Sequence, residues 1–348
     1  MSLILIDGVD HYPNSLNQDF TANGPWTVYG DIQLYTDGYA GFPSRFLGQN
    51  MLRTSGTNAY IQKSFTQEST IVAACAFSYI AGTDSRRGLI EFYDNAGASA
   101  PVIGTVKLNP FNGRISYTDS ASTVIEADIL ADPFLAADTW YFIEVKVVAG
   151  AGGGVQININ GVTWLNTTAD NTAPAGGIGI VRFESPTGNN MMTDFYIDNA
   201  TMHGDCRVIT LVPDADNAAV EWVKDGSIPS DCSDKNKCYV DKLGTSPSDA
   251  VDDGYVRINA VASDVYGMSD LPAGTWQVKG VMLAARALKE SSGSPTLGLS
   301  VNSGASSTGS VIPDIKSQVG SLHDFADDAA DPWTTANVNA MVLTMSYE

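Results

Sequence analysis

TWYFIEVKVVAGAGGGVQININGV, residues 139–162, alternates apolar and polar positions twice, with a run of glycines between. The second run ends in Asn160-Gly161, a dipeptide that closes two-residue hairpins because both positions tolerate a positive φ. The glycines follow a strand but open no helix, so they are expected to be a flexible hairpin tip and not a phosphate cradle. Glycoside hydrolysis needs two carboxylates roughly 5 to 10 Å apart. Residues two apart on a strand share a face at about 7 Å, which makes acid-x-acid the pattern to seek. Glu144 is followed by Lys146 instead. The stretch therefore points to a sheet that presents a surface.

The same grammar runs up to about residue 200. YIQKSF, STIVAACAFSYI, GLIEFYD, VIGTVKLN, GRISYT, IGIVRFES and MTDFYIDNATM are rich in Val, Ile, Phe, Tyr and Thr. Between them stand AGTDSRRG, DNAGASAP, NPFNG and SPTGNN, which carry turn residues. The sequence predicts an all-β protein whose first part is an antiparallel jelly-roll sandwich. From HGDCRV, near residue 203, a second set of strand-like runs begins, among them CYVDKL, GYVRINA, WQVKGVMLAARAL and NVNAMVLTMSYE. A helix starting at Ala284 is the weaker reading of the third, because Val and Trp crowd its first half. ADDAADPWTTANVNA reads as a polar connection with one helical turn. Residues 1–203 are expected to form the first sandwich, and 204–348 a second, smaller one.

With 19 Lys+Arg against 39 Asp+Glu, a formal net charge of -20, binding by phosphate neutralisation is disfavoured. Nucleic acid and anionic membrane surfaces are not expected as partners. Hydrophobic residues make up 44% and charged residues 17%, so the chain is expected to fold. No apolar run approaches the roughly 18 to 20 residues of a membrane span. Leu3-Ile4-Leu5-Ile6 is shorter than a signal-peptide core and runs into Asp7, so it is expected to be a first strand in a protein made and assembled in a cytosol.

Candidate site residues are few. Asp194 and Asp198 in DFYIDNA lie four apart, on one face of a regular strand, with Tyr196 between. They are the candidates for a calcium or sugar contact, against a default of two solvent-facing acids near a strand end. His11, His203 and His323 are scattered, with no nucleophile motif nearby, and no catalytic residue, metal or cofactor is expected. Of the six Trp, Trp164 and Trp333 are the ones expected to be exposed and to touch a ligand or a neighbouring chain. Cys75 sits in an apolar run, where a buried thiol is expected. Cys232 and Cys238 bracket CSDKNKC and could close a local disulfide in an oxidising medium; the default is that they do not.

LIDGVDHY, SRFLGQNMLRTSG, AYIQKSF and STIVAACAFSYI, in that order, resemble tailed-bacteriophage virion proteins that open with a concanavalin A-like lectin/glucanase sandwich. The 139–162 hairpin resembles the strand pair of laminin-G and concanavalin A-like domains. HGDCRVITLVPDADNAAVEW, YVDKLGTSPSDAVDDGYVRI and DVYGMSDLP resemble the "GDxRV" module that follows this sandwich in phage structural proteins. Val9 replaces the usual Phe, and the acidic cluster of the glucanase branch is missing from its strand. The resemblance implies a non-enzymatic virion structural protein, a tail-fibre or adhesin component that contacts host-surface glycans. A capsid decoration protein or head fibre, and a polysaccharide depolymerase or glucanase, are the alternatives. It further implies a homo-oligomer, with trimers common in fibres, and other virion proteins as partners.

Overall fold

A computed structural model describes residues 3–9, 25–36, 45–46, 50–81, 87–94, 102–126, 134–173, 176–184, 189–211, 213–226, 254–257, 262–287, 294–301, 310–311, 317–323 and 332–347. The chain divides into two compact units, the first running up to Val208 and the second from Ile209 onward. Cys232 and Cys238 lie outside the described residues. No described helix is long and apolar enough to cross a membrane.

The first unit is built from β1 (Leu3–Asp7), β2 (Thr27–Thr36), β3 (Asn50–Glu68), β4 (Thr70–Ser78), β5 (Arg87–Tyr93), β6 (Val102–Asn109) and β7 (Arg114–Asp119). It continues with β8 (Val124–Glu126), β9 (Tyr141–Val148), β10 (Gly150–Ile159), β11 (Val162–Asn171), β12 (Ile178–Glu184) and β13 (Asn189–Asp198). All pairings are antiparallel, in the order β11-β10-β9-β4-β13-β3-β12-β5-β6-β7-β8, with β1 on β13 and β2 on β3. The long β3 pairs with β13 through its first half and with β12 through its second, so it belongs to both layers of the sandwich. Trp26 bridges the layers: its ring meets Phe183 of β12 at 5.8 Å and Phe195 of β13 at 5.4 Å, both edge-on. Its indole N–H donates to the buried Asp7 at 2.6 Å, and Val9 N–H satisfies the other carboxylate oxygen. Together these contacts tie the layers into a jelly-roll sandwich.

The opening hairpin has the expected turn. Ile159 faces Val162, and Asn160 and Gly161 have φ of 48° and 78°, the type I′ signature. Asn160 also binds Phe142 through its backbone N–H and its side-chain oxygen, each at 2.8 Å, which pins the turn to β9. The glycine run differs from expectation. It is the paired start of β10, with a register irregularity between Gly150 and Gly153, and a Cβ at Gly153 would stand 2.1 Å from the Val148 carbonyl oxygen. At Gly153 two backbones approach too closely for a side chain, whereas Gly150 and Gly152 have open space around them.

The second unit contains β14 (Pro213–Val220), β15 (Val223–Gly226), β16 (Gly254–Arg257), β17 (Ala262–Met268), β18 (Val281–Ala287), β19 (Thr296–Val301), β20 (Ser310–Val311), β21 (Ser317–His323), α1 (Thr335–Asn339) and β22 (Val342–Tyr347). Five strands form the sheet β14-β17-β22-β19-β20, and β15-β16 and β18-β21 form separate ladders. The region from Ala284 is strand, not helix, in keeping with its Val-rich first half. Tyr266, Leu297, Leu299, Leu343 and Met345 from the sheet enclose a core with Leu283 of β18. Trp333 belongs to that core and is only 4% exposed, which corrects the expectation of an exposed ring. The reason is local: Thr334 caps α1 through a reciprocal capping box with Asn337, and the cap turns the preceding indole inward beside Val338 and Met341.

Candidate functional site

Asp194 and Asp198 are both 0% exposed, which overturns the expectation of solvent-facing acids. A register irregularity between Thr193 and Tyr196, with Asp194 at φ 53°, breaks the alternation that placed the two on one regular face. Asp194 accepts from Arg45 Nη1 at 2.6 Å and from Val208 N–H at 2.8 Å. Asp198 accepts from Ala200 and Thr201 N–H, both at 2.7 Å, and its second oxygen lies 3.0 Å from His203 Nε2. Burial pushes the Asp198 pKa up, but hydrogen bonds from His203, Thr201 and Ala200 outweigh it and hold the carboxyl below its usual range. These acids anchor chain. Among the described residues no group of three or more His, Cys, Asp or Glu could hold a metal ion.

Glu144 plays a related part. Buried at 1% exposure, it accepts from the Tyr196 hydroxyl and, at 2.8 Å, from Gly204 N–H. Arg45 donates to Asp205 and to the Cys206 carbonyl, and its guanidinium lies over Phe142 at 5.2 Å. Residues 203–208 are thereby fastened over β9 and β13 of the first unit. Trp164 on β11 is half-buried.

The side chains best suited to a ligand stand elsewhere in the first unit. On β12 and β5, Val181, Phe183, Ile90 and Phe92 point into the sandwich, so Arg182, Glu184, Glu91 and Tyr93 project from the opposite face. Arg182 is the hub. Its Nη1 donates to the Tyr93 hydroxyl at 2.7 Å and lies 3.3 Å from Glu91 and 3.6 Å from Glu184. The rings of Tyr60 and Tyr93 cover the guanidinium at 3.9 and 4.4 Å. Tyr93 donates its hydroxyl hydrogen to Glu91. Gln62 lies on the same β3 face as Tyr60 and accepts from Arg182 Nη2 at 3.5 Å. Tyr29 of β2 faces Tyr60 with ring centroids 4.6 Å apart and is 45% exposed.

The Glu184 carboxyl holds its proton to unusually high pH. Glu184 is hydrogen-bonded to Glu91, and its pKa is raised from 4.5 to about 7, by burial first and then by the charge and hydrogen bond of Glu91, against the pull of Arg182. Burial also raises the Tyr93 and Tyr60 hydroxyls. The pair lies close over Gly88: a Cβ there would stand 2.6 Å from Glu184 Oε2 and 3.2 Å from Glu91 Oε1 and would push the carboxyls aside. The whole arrangement offers acceptors, a neutralised cation and one open aromatic face.

No reading of single strands finds this cluster, because Glu91 and Glu184 belong to strands distant in sequence. The available signal was Glu-x-Tyr in GLIEFYD and Arg-x-Glu in IGIVRFES, polar residues at period 2 on strands whose other face is apolar.

No protein-family model matches the chain, and no curated protein matches it. Solved structures of similar chain trace include domain 4 of AbnA, a GH43 extracellular arabinanase from Geobacillus stearothermophilus in complex with arabinotriose. Its TM-score is 0.38 at 14% identity, covering 56% of this chain and 91% of that one. Endo-β-1,4-glucuronan lyase from the fungus Trichoderma reesei gives 0.39 at 10% identity, with 57% and 96% covered. The cellulose-induced protein Cip1 gives 0.36 at 15% identity, with 56% and 97% covered. At these scores the likeness concerns chain trace alone, and the site is read from its own residues.

Proposed function

We propose that this protein is a non-enzymatic structural component of a tailed-bacteriophage particle, of the tail-fibre or adhesin kind, and that its first sandwich holds host-surface glycan. The phage assignment rests on the ordered motifs from LIDGVDHY to DVYGMSDLP. The glycan role rests on one observation: Glu91, Arg182 and Glu184 form a joined, partly exposed polar cluster beside the Tyr29–Tyr60 pair. Aromatic rings supply faces for sugar C–H surfaces, and fixed carboxylates supply acceptors for hydroxyls. Binding suits this geometry better than hydrolysis, because both carboxyls are drawn onto one Arg182 nitrogen, at 3.3 and 3.6 Å, so a cation occupies the ground between them, where glycosidases leave room for the sugar.

Such a protein works on the virion as a symmetric homo-oligomer, a trimer in the fibre arrangement, beside other particle proteins. Its formal charge of -20 suits a particle exterior and neither nucleic acid nor membrane insertion. The copy number in purified virions tests the placement. A few to a few dozen copies fits a fibre, and hundreds would mean capsid decoration instead.

One observation favours a second reading, a polysaccharide depolymerase. A Glu184 pKa of about 7 leaves a proton available near neutral pH, as a general acid requires. Release of reducing ends from host polysaccharide, lost in Glu184→Gln, would establish that reading and remove the non-enzymatic one.

A further inference from the structure

We infer that the Tyr29, Tyr60, Glu91, Arg182 and Glu184 face is selective for neutral oligosaccharides and rejects glycans that carry carboxylate, sulfate or phosphate groups. This deepens the proposed glycan role and rests on it.

The charge arithmetic of the site carries the inference. A site for uronic or sialic acids needs a cation with free donors, and Arg182 is the cation at the centre of this cluster. Both of its terminal nitrogens are engaged, Nη1 by Tyr93, Glu91 and Glu184 and Nη2 by Gln62. Tyr60 and Tyr93 cover its guanidinium, and its Nε is buried with no partner among the described residues. An incoming carboxylate would find no bidentate fork and would meet two carboxyl groups at close range. A chain of net charge -20 adds a long-range field of the same sign.

A neutral sugar meets the opposite situation. The outer lone pairs of Glu91 and Glu184 accept hydroxyl donors, and a carboxylate acceptor makes the stronger kind of hydrogen bond. Tyr29, nearly half exposed and braced from behind by Tyr60, is a platform for a pyranose face. Gln62, Arg182, Glu91, Thr105 and Thr118 are successive cross-strand partners on β3, β12, β5, β6 and β7. Thr105 is buried and so are the Thr118 and Ser116 hydroxyl oxygens, so the accessible part of the row is its Gln62, Arg182 and Glu91 end, beside Tyr29.

The test is a glycan array of neutral and acidic oligosaccharides probed with the full chain, followed by calorimetry on the strongest ligand. Parent, Tyr29→Ala, Gly88→Ala and Glu91→Gln/Glu184→Gln proteins are compared after thermal melts confirm that each is folded. Gly88→Ala displaces only the flexible ends of Glu184 and Glu91 and so probes the site with little cost to the fold. The expected result is binding of uncharged oligosaccharides, at least tenfold weaker in Tyr29→Ala and Gly88→Ala. The doubly amidated variant, with Arg182 released, should acquire affinity for oligogalacturonate, a gain that a merely structural cluster would not give. Parent protein that binds acidic glycans through this face overturns the selectivity and leaves the glycan role standing. Neutral binding that ignores these substitutions places the site elsewhere and overturns the inference. Absence of binding to every glycan sinks the glycan role itself.

Discussion

Replacing Glu184 with Gln tests the raised pKa of its carboxyl directly. A carboxyl raised from 4.5 to about 7 in the folded protein binds its proton more tightly there than in the unfolded chain. Between those two values the folded state carries a proton that the unfolded state has lost, so stability is greatest below pH 4.5, falls as pH rises toward 7, and levels off above. At about 1.4 kcal/mol per pH unit the full span is worth about 3 kcal/mol. Glu184 is one quarter exposed and lies beside Arg182, so we expect about 1 to 3 kcal/mol. Gln keeps the neutral, hydrogen-bonding form at every pH. The variant should therefore melt with the parent near about pH 5 and above it near about pH 8.5. For a unit of this size the gain is about 3 to 10 °C in Tm. Scanning calorimetry of both proteins at the two pH values gives the answer. A difference between parent and variant that does not grow with pH, or a variant less stable at the higher pH, would refute the raised Glu184 pKa.

Three further substitutions probe the frame around the site. Arg45→Met leaves the fully buried Asp194 without its cation and should cost about 3 to 5 kcal/mol in urea unfolding; a cost below about 1 kcal/mol would mean the pair is not an anchor. Tyr196→Phe withdraws a hydroxyl donor from the buried Glu144 and should cost about 1 to 3 kcal/mol, with an unchanged melting point as the contrary result. Gly161→Val forces a β-branched residue to φ 78° in the hairpin turn and should cost about 1 to 2 kcal/mol; a neutral outcome would reject the type I′ assignment.

Much of this fold is legible in the residues, and the reasons for the exceptions are physical. Alternation of Val, Ile and Phe with polar residues marks β5, β9 and β12 because the apolar positions face the sandwich interior, and Asn160-Gly161 marks its turn because few other dipeptides accept two positive φ values. Alternation fails where a bulge intervenes. DFYIDNA looks like a regular strand, and nothing in its composition reveals that Asp194 takes φ 53° to meet Arg45. Composition also misled at Trp333, where a polar flank hid a capping box that turns the ring inward. The glycines of 150–154 look like a mobile tip but are the paired start of a strand, and at Gly153 a backbone approach leaves no room for a side chain. The candidate site was the least legible part. Its carboxyls and arginine become neighbours only through the pairing of β5 with β12, and strand pairing between distant segments leaves no local mark.

The most direct measurement of the central claim is size-exclusion chromatography with light scattering of host-surface polysaccharide incubated with stoichiometric protein. Binding without cleavage predicts that protein and glycan co-elute, that the glycan keeps its molar mass after the protein is stripped away, and that Tyr29→Ala abolishes the co-elution. A fall in glycan mass, or elution of the two as separate peaks, would contradict it.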